Sequence, residues 1–199
     1  MTYSCTTRAI DILPAATNGS PGALVVNIFG GPGTGKSTLA SELYCALKKA
    51  GIETACPEEH AKLAIWSGQP WLLDHQVILL GRTWETIRAL SEKVDVIIVD
   101  SPILLCSVYA QDREPDCFHE LVIDIHRRTS RMNILLQRNP GQIYSTSGRR
   151  ETADQASLVD ARIENLLRTR SETYSAISRA PDDRSAIARS IATYLSDRS

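Results

Sequence analysis

Short runs suited to buried strands alternate along this chain with longer stretches of helical spacing. The runs fall at residues 23–29, 54–57, 94–99, 132–136 and, more weakly, 174–178. Each is too short for a helix and is bounded by polar or turn-forming residues, which reads as a strand. Helical spacing covers 36–50, 58–66, 71–93, 116–128, 152–170 and 182–195. Pro115-Asp116 and Pro181-Asp182 mark two helix starts, where Pro fits the first turn and an acid meets the positive end of the dipole. Strands separated by helices predict an α/β fold with a parallel five-stranded sheet, because crossover helices cover both faces of every strand. Residues 1–22 carry Asn18-Gly19 and Pro21-Gly22 with little periodicity and read as an N-terminal tail; 23–199 reads as the domain.

Between the first strand and the first helix lies Gly30-Gly31-Pro32-Gly33-Thr34-Gly35-Lys36-Ser37-Thr38, which satisfies G-x-x-x-x-G-K-[ST] in the strand–turn–helix context that motif requires. Glycines are needed because the backbone must wrap phosphates closely enough for its N–H groups to donate to them. All nine residues are therefore expected to bind the nucleotide. Lys36 is expected to reach the outer phosphates and Ser37 to ligate Mg²⁺, with the helix dipole adding positive potential. The run Val94-Asp95-Val96-Ile97-Ile98-Val99-Asp100 ends an apolar strand in a carboxylate, so Asp100 is the second expected Mg²⁺ ligand; Ser101-Pro102 stops the strand. The fold is thus of P-loop NTPase type.

Binding a nucleotide does not by itself establish phosphoryl transfer to a second substrate. Glu58 and Glu59 follow the second strand at the carboxyl edge of the sheet, where a carboxylate can accept a hydroxyl proton; the competing reading is acidic enrichment at a helix start. After the fourth strand, Arg138, Tyr144, Arg149 and Arg150 lie in a polar, Gly-bearing stretch that reads as an Arg-bearing lid at about 138–160. Loose phosphoryl transition states spread negative charge over three oxygens, so arginines delivered there stabilise it and exclude water.

Charge narrows the partners. Lys plus Arg total 22 and Asp plus Glu 23, so the overall balance favours neither nucleic acid nor membrane. Residues 121–199, however, hold 13 Arg, 9 acids and no Lys. An all-Arg basic set suits paired phosphate contacts, and a solvated face is the plainer alternative. Cys5, Cys45, Cys56, Cys106 and Cys117 form no C-x-x-C pair or metal-ligand spacing, which points to a reducing compartment. With no apolar stretch near the roughly 18 residues a span needs, no membrane partner is expected and the protein is placed in the cytoplasm.

One resemblance is more specific. Pro57-Glu58-Glu59-His60-Ala61-Lys62, Leu73-Asp74-His75-Gln76, residues 94–105 and the pattern R-x5-Y-x3-GR-x6-A-x3-D from Arg138 to Asp160 resemble a group of bacteriophage P-loop kinases. That group is similar to ribosylnicotinamide and deoxynucleotide kinases. The resemblance implies a nucleoside/nucleotide-kinase-like fold, use of ATP and Mg²⁺, and a host-cytoplasmic, viral setting. Some members phosphorylate 5-hydroxymethyluracil in viral DNA, so the acceptor it implies is a modified base in DNA; a soluble nucleoside, nucleotide or ribosylnicotinamide is the alternative. It puts Glu59 rather than Glu58 at the family's carboxylate position, with His60 where Tyr is usual and Thr83 and Thr86 at polar acceptor positions. Lys36, Glu59, Asp100, Arg138 and Arg149 form the expected catalytic set. Trp66, Trp71 and Trp84 flank the acceptor side, either as base-stacking surfaces or as core. A nucleotide-dependent switch or accessory ATPase is the alternative of a different class.

Overall fold

The computed structural model describes residues 22–110, 114–139, 152–178 and 181–198. The tail before Gly22 and the centre of the expected lid, with Tyr144, Arg149 and Arg150, lie outside the described residues. Five parallel strands form one sheet: β1 (Leu24–Phe29), β2 (Thr54–Ala55), β3 (Val96–Val99), β4 (Arg131–Leu136) and β5 (Ser175–Ile177), in the order β2-β3-β1-β4-β5. The helices are α1 (Lys36–Lys49), α2 (His60–Trp66), α3 (Gln76–Leu90), α4 (Leu105–Tyr109), α5 (Phe118–Arg127), α6 (Ala153–Thr169) and α7 (Pro181–Ser196). This is the expected α/β P-loop architecture.

Alternation along fully buried strands sorts the helices into two layers. Val25, Phe29, Ile97, Val99 and Leu135 point to one face, where Leu79, Leu80 and Ile87 of α3, Phe118 and Val122 of α5, and Val159 and Ile163 of α6 pack on them. Leu24, Val26, Ile28, Ile98 and Ile134 point to the other, covered by Leu39, Leu43 and Leu47 of α1 and Ile187 and Ile191 of α7. Each buried Leu or Ile contributes about 1.5–3 kcal/mol on leaving water. The one polar pair on these strands is satisfied: Asn27 Nδ2 donates to Asn133 Oδ1 at 3.0 Å, and Asn133 Nδ2 to the Thr173 carbonyl at 3.1 Å.

The helix after β1 lies on one face and the helices that precede and follow β3 lie on the other, so a crevice opens where the carboxyl ends of these neighbouring strands diverge. The phosphate loop and Asp100 both emerge there.

Two elements differ from the sequence pattern. The expected helix over 71–93 is split into a 3₁₀ turn, Pro70–Asp74, and α3. The split has a non-local cause, since the Glu114 carboxylate accepts from the Gln76 amide N–H at 2.7 Å and so starts α3 afresh. The short helix α4 follows Pro102 inside a segment whose apolar residues gave no period.

Several C-terminal arginines follow neither the phosphate-clamp reading nor that of a plain solvated face. At the β4 end remote from the loop, Glu172 is 6% exposed and accepts from Arg127 Nε and Arg131 Nε, both at 3.0 Å. His126, 2% exposed, lies 3.4 Å from the same carboxylate. Arg128, Arg170 and Arg184 pair with Asp124, Glu120 and Glu42. Much of that basic set therefore serves internal pairing, while Arg138 reaches the phosphate loop.

Candidate active site

The loop between β1 and α1 is shaped by backbone freedom and by close packing. Gly30, Gly33 and Gly35 have φ of 145°, 83° and 96°, values that L side chains rarely adopt. Gly31 is constrained differently: a Cβ there would run into Asp160 Oδ1 and stand 2.8 Å from the Ala156 carbonyl, because α6 presses on the loop. Thr34 Oγ1 ties the turn by donating to the Gly31 carbonyl at 3.0 Å. Helix α1 then opens with Gly35 as its N-cap, no side-chain cap and no acid in its first turn. Its first N–H groups and its dipole are thus presented to the crevice, an arrangement that fits an anion.

A cavity of about 450 Å³ runs from this loop to α2 and α3. Lys36, Ser37 and Thr38 line one end; Glu59, Lys62, Asp74, Gln76, Thr83 and Tyr109 line the rest. Gly33 and Pro32 border the loop end, and Lys36 Nζ donates to the Gly31 carbonyl at 3.0 Å. The volume falls within the range of about 300–1,000 Å³ usual for ligand sites and exceeds what a phosphate chain alone requires.

The structure separates the two neighbouring glutamates. Glu58 is exposed, whereas Glu59 is turned inward at the N-cap of α2 and lines the main cavity. Burial pushes the Glu59 carboxyl above its ordinary range, and the nearby Asp100 charge adds to this; Lys36, Lys62 and a hydrogen bond with Ser101 oppose it. Asp100 follows β3 and lines a smaller cavity that shares Glu59, His60, Thr83 and Ser101 with the first. Ser37 and Asp100 are hard oxygen donors of the kind Mg²⁺ takes, and that ion, which keeps several waters and phosphate oxygens, needs no protein cage. Among the described residues no group of three or more His, Cys, Asp or Glu forms a metal site.

Across the cavity from the loop, His60 Nε2 lies 3.2 Å from Thr86 Oγ1, and burial followed by the Arg82 charge lowers the imidazole pKa. Thr83 reaches the main cavity; Thr86 reaches only the smaller one. The buried Gln76 side chain donates to the Leu73 carbonyl at 2.7 Å. The tryptophans divide: Trp84 packs against the core, while Trp66 and Trp71 are 64% and 52% exposed. Lys62 Nζ sits 4.7 Å from the centre of the Trp66 ring.

Arg138 Nε donates to Asp160 Oδ2 at 2.7 Å and its Nη2 to the Pro32 carbonyl at 2.9 Å; the other carboxylate oxygen accepts from Gly31 N–H at 2.6 Å. Sequence reasoning passed over Asp160 as a functional group. It stood only as the last letter of the lid pattern, and nothing local ties it to a loop 129 positions away.

Comparison with known proteins adds a family. The family model for AAA_28, described as an AAA domain, matches residues 25–184. Curated proteins give no match. Among solved structures, a deoxyadenosine kinase from M. mycoides with dCMP and a flexible dCDP bound is similar at 15% identity, covering 87% of this chain and 99% of its own, with a TM-score of 0.47. Shikimate kinase from Acinetobacter baumannii with shikimate is similar at 12% identity, 88% and 94% coverage and a TM-score of 0.44. APE1195 is similar at 15% identity, 90% and 96% coverage and 0.42.

Proposed function

We propose that this chain, which belongs to the AAA_28 family of AAA domains, is an ATP-dependent phosphotransferase acting on a hydroxyl of a second substrate. One observation carries the reading: a single cavity is lined at one end by Lys36, Ser37 and Thr38 and continues past the half-buried Glu59 carboxylate into space bounded by Gln76, Thr83 and Tyr109. That extension gives a second substrate room beside the phosphates.

In this reading the triphosphate lies along Gly30, Gly31, Pro32, Gly33, Thr34, Gly35 and the first turn of α1, with Lys36 on the outer phosphates. Ser37 and Asp100 would hold Mg²⁺, which when bound neutralises charge on the phosphate oxygens. Glu59 accepts the acceptor's proton as its oxygen bonds to the terminal phosphorus; the bond to the bridging oxygen breaks and ADP leaves. Arg138 supports the charge on the moving group, and the sequence assigns Arg149 the same task. Because Glu59 titrates above its ordinary 4.5, transfer should rise with pH through an apparent pKa above that figure. Glu59→Gln should lose on the order of 10²-fold in rate and flatten that limb while still binding nucleotide. Parallel pH–rate profiles for the two proteins would remove Glu59 as the base.

The acceptor we favour is 5-hydroxymethyl-2'-deoxyuridine in viral DNA, converted to its 5-phosphomethyl form as a step in thymidine hypermodification, as the sequence resemblance implies. Exposed Trp66 and Trp71 support a polymer acceptor, since a base stacked on an aromatic ring contributes about 1–3 kcal/mol, which offsets extrusion from the helix. Incubation with labelled ATP and hydroxymethyluracil-containing DNA should label the polymer. Label in free nucleosides, nucleotides or ribosylnicotinamide instead would make this a metabolite kinase; phosphate release alone would make it an ATPase or switch.

A further inference from the structure

Asp160 takes no place among the groups assigned above, yet its carboxylate is fully engaged at the loop. One oxygen accepts from Gly31 N–H at 2.6 Å and the other from Arg138 Nε at 2.7 Å. Arg138 in turn donates to the Pro32 carbonyl at 2.9 Å, so one guanidinium and one carboxylate hold both sides of the loop's first turn. Both side chains are about three-quarters buried, at 25% and 27% exposure, where such a charge-assisted contact is firmer than on an open surface. Among the described residues, two of the five N–H groups of the guanidinium are used in this way, and the Nη1 edge meets no acceptor.

We infer that Asp160 is a positioning residue for phosphoryl transfer: from α6 it fixes the turn at Gly31 and sets the plane of Arg138 so that the remaining N–H groups meet the phosphoryl group being moved. A planar fork is useful to a planar array of oxygens only when its rotation is arrested, and a carboxylate on Nε arrests it. The inference rests on the reading that this loop holds a triphosphate.

Single-turnover loss of the terminal phosphate from Mg·ATP, to water or to acceptor, tests it with the full chain. Asp160→Asn keeps size but can no longer accept from both donors. It should slow turnover roughly tenfold to a hundredfold, the scale set by a small misplacement of a catalytic group. Mg·nucleotide Kd by calorimetry should shift by less than about threefold, as expected when only transition-state contacts are lost. Arg138→Ala and the double variant should be equally slow, and Asp160→Glu should recover part of the rate. Multiplying losses in the double variant, or a Kd that weakens in step with the rate, would overturn the inference. A second readout is independent of activity: the Arg138 Nε–H resonance should be distinct and slowly exchanging in the parent protein and lost in Asp160→Asn. Absence of that signal in the parent also overturns the inference, whereas its presence in a protein that takes up no Mg·nucleotide refutes the phosphotransferase reading and with it this role.

Discussion

Replacing Lys36 with Met should lower phosphoryl transfer on the order of 10³-fold, the upper range for removing one preorganised donor from developing negative charge. The side chain lines the cavity and bonds the Gly31 carbonyl at 3.0 Å, so its ammonium stands at the loop to which the proposal assigns the outer phosphates. Because the lysine is only half-buried and Met matches its stem, stability should change little. Initial rates with labelled ATP, compared with circular dichroism melts of both proteins, separate the two effects. A variant that retains a tenth or more of the rate would show that the charge at this position is not used.

The largest effect on stability is expected at the other end of the sheet. Glu172→Gln leaves the buried Arg131 and the half-exposed Arg127 facing a neutral group, and breaking a buried pair such as Arg131–Glu172 costs about 3–5 kcal/mol. Urea unfolding should read that loss directly. Acid should erode the same stability in the parent. Burial alone would raise the Glu172 carboxyl, but His126, Arg127 and Arg131 hold it at about 2 against an ordinary 4.5. Its contribution is complete above 4.5 and is lost as pH falls from there through 2. Burial lowers the His126 pKa below 6.5, so the unfolded chain also takes up a proton first below that value, and stability again falls with acid. The two groups act in the same direction. In Glu172→Gln the loss between 4.5 and 2 should shrink; an unchanged slope would place the acid sensitivity elsewhere.

What the sequence revealed follows the range of the interactions involved. The phosphate loop was legible because nine consecutive residues encode both its shape and its chemistry. The strands were legible because both faces of β1, β3 and β4 are buried, which forces near-continuous apolar runs broken only by Asn27, Arg131 and Asn133. Glu58 and Glu59 could not be told apart from residue type, since an acid at a helix start serves the dipole wherever it points; burial distinguishes them. The division before α3 depends on Glu114, 38 positions on, and the buried cluster at Glu172 joins residues 41 to 45 apart. Arg127 and Arg131 look like phosphate ligands in composition and become structural only when β4 and the end of α6 are brought together.

The contact between Gly31 and Asp160 spans 129 positions, so a motif written early in the chain is completed by a helix made late. During synthesis the whole glycine-rich signature leaves the ribosome while the residue that steadies it has yet to be joined to the polymer. A chain stalled before α6 also lacks Val159 and Ile163, which close the core over β1, so it should gain no protease resistance from added nucleotide. The same chain released after α6 should gain it in one step, and the length at which protection appears marks where the site first exists.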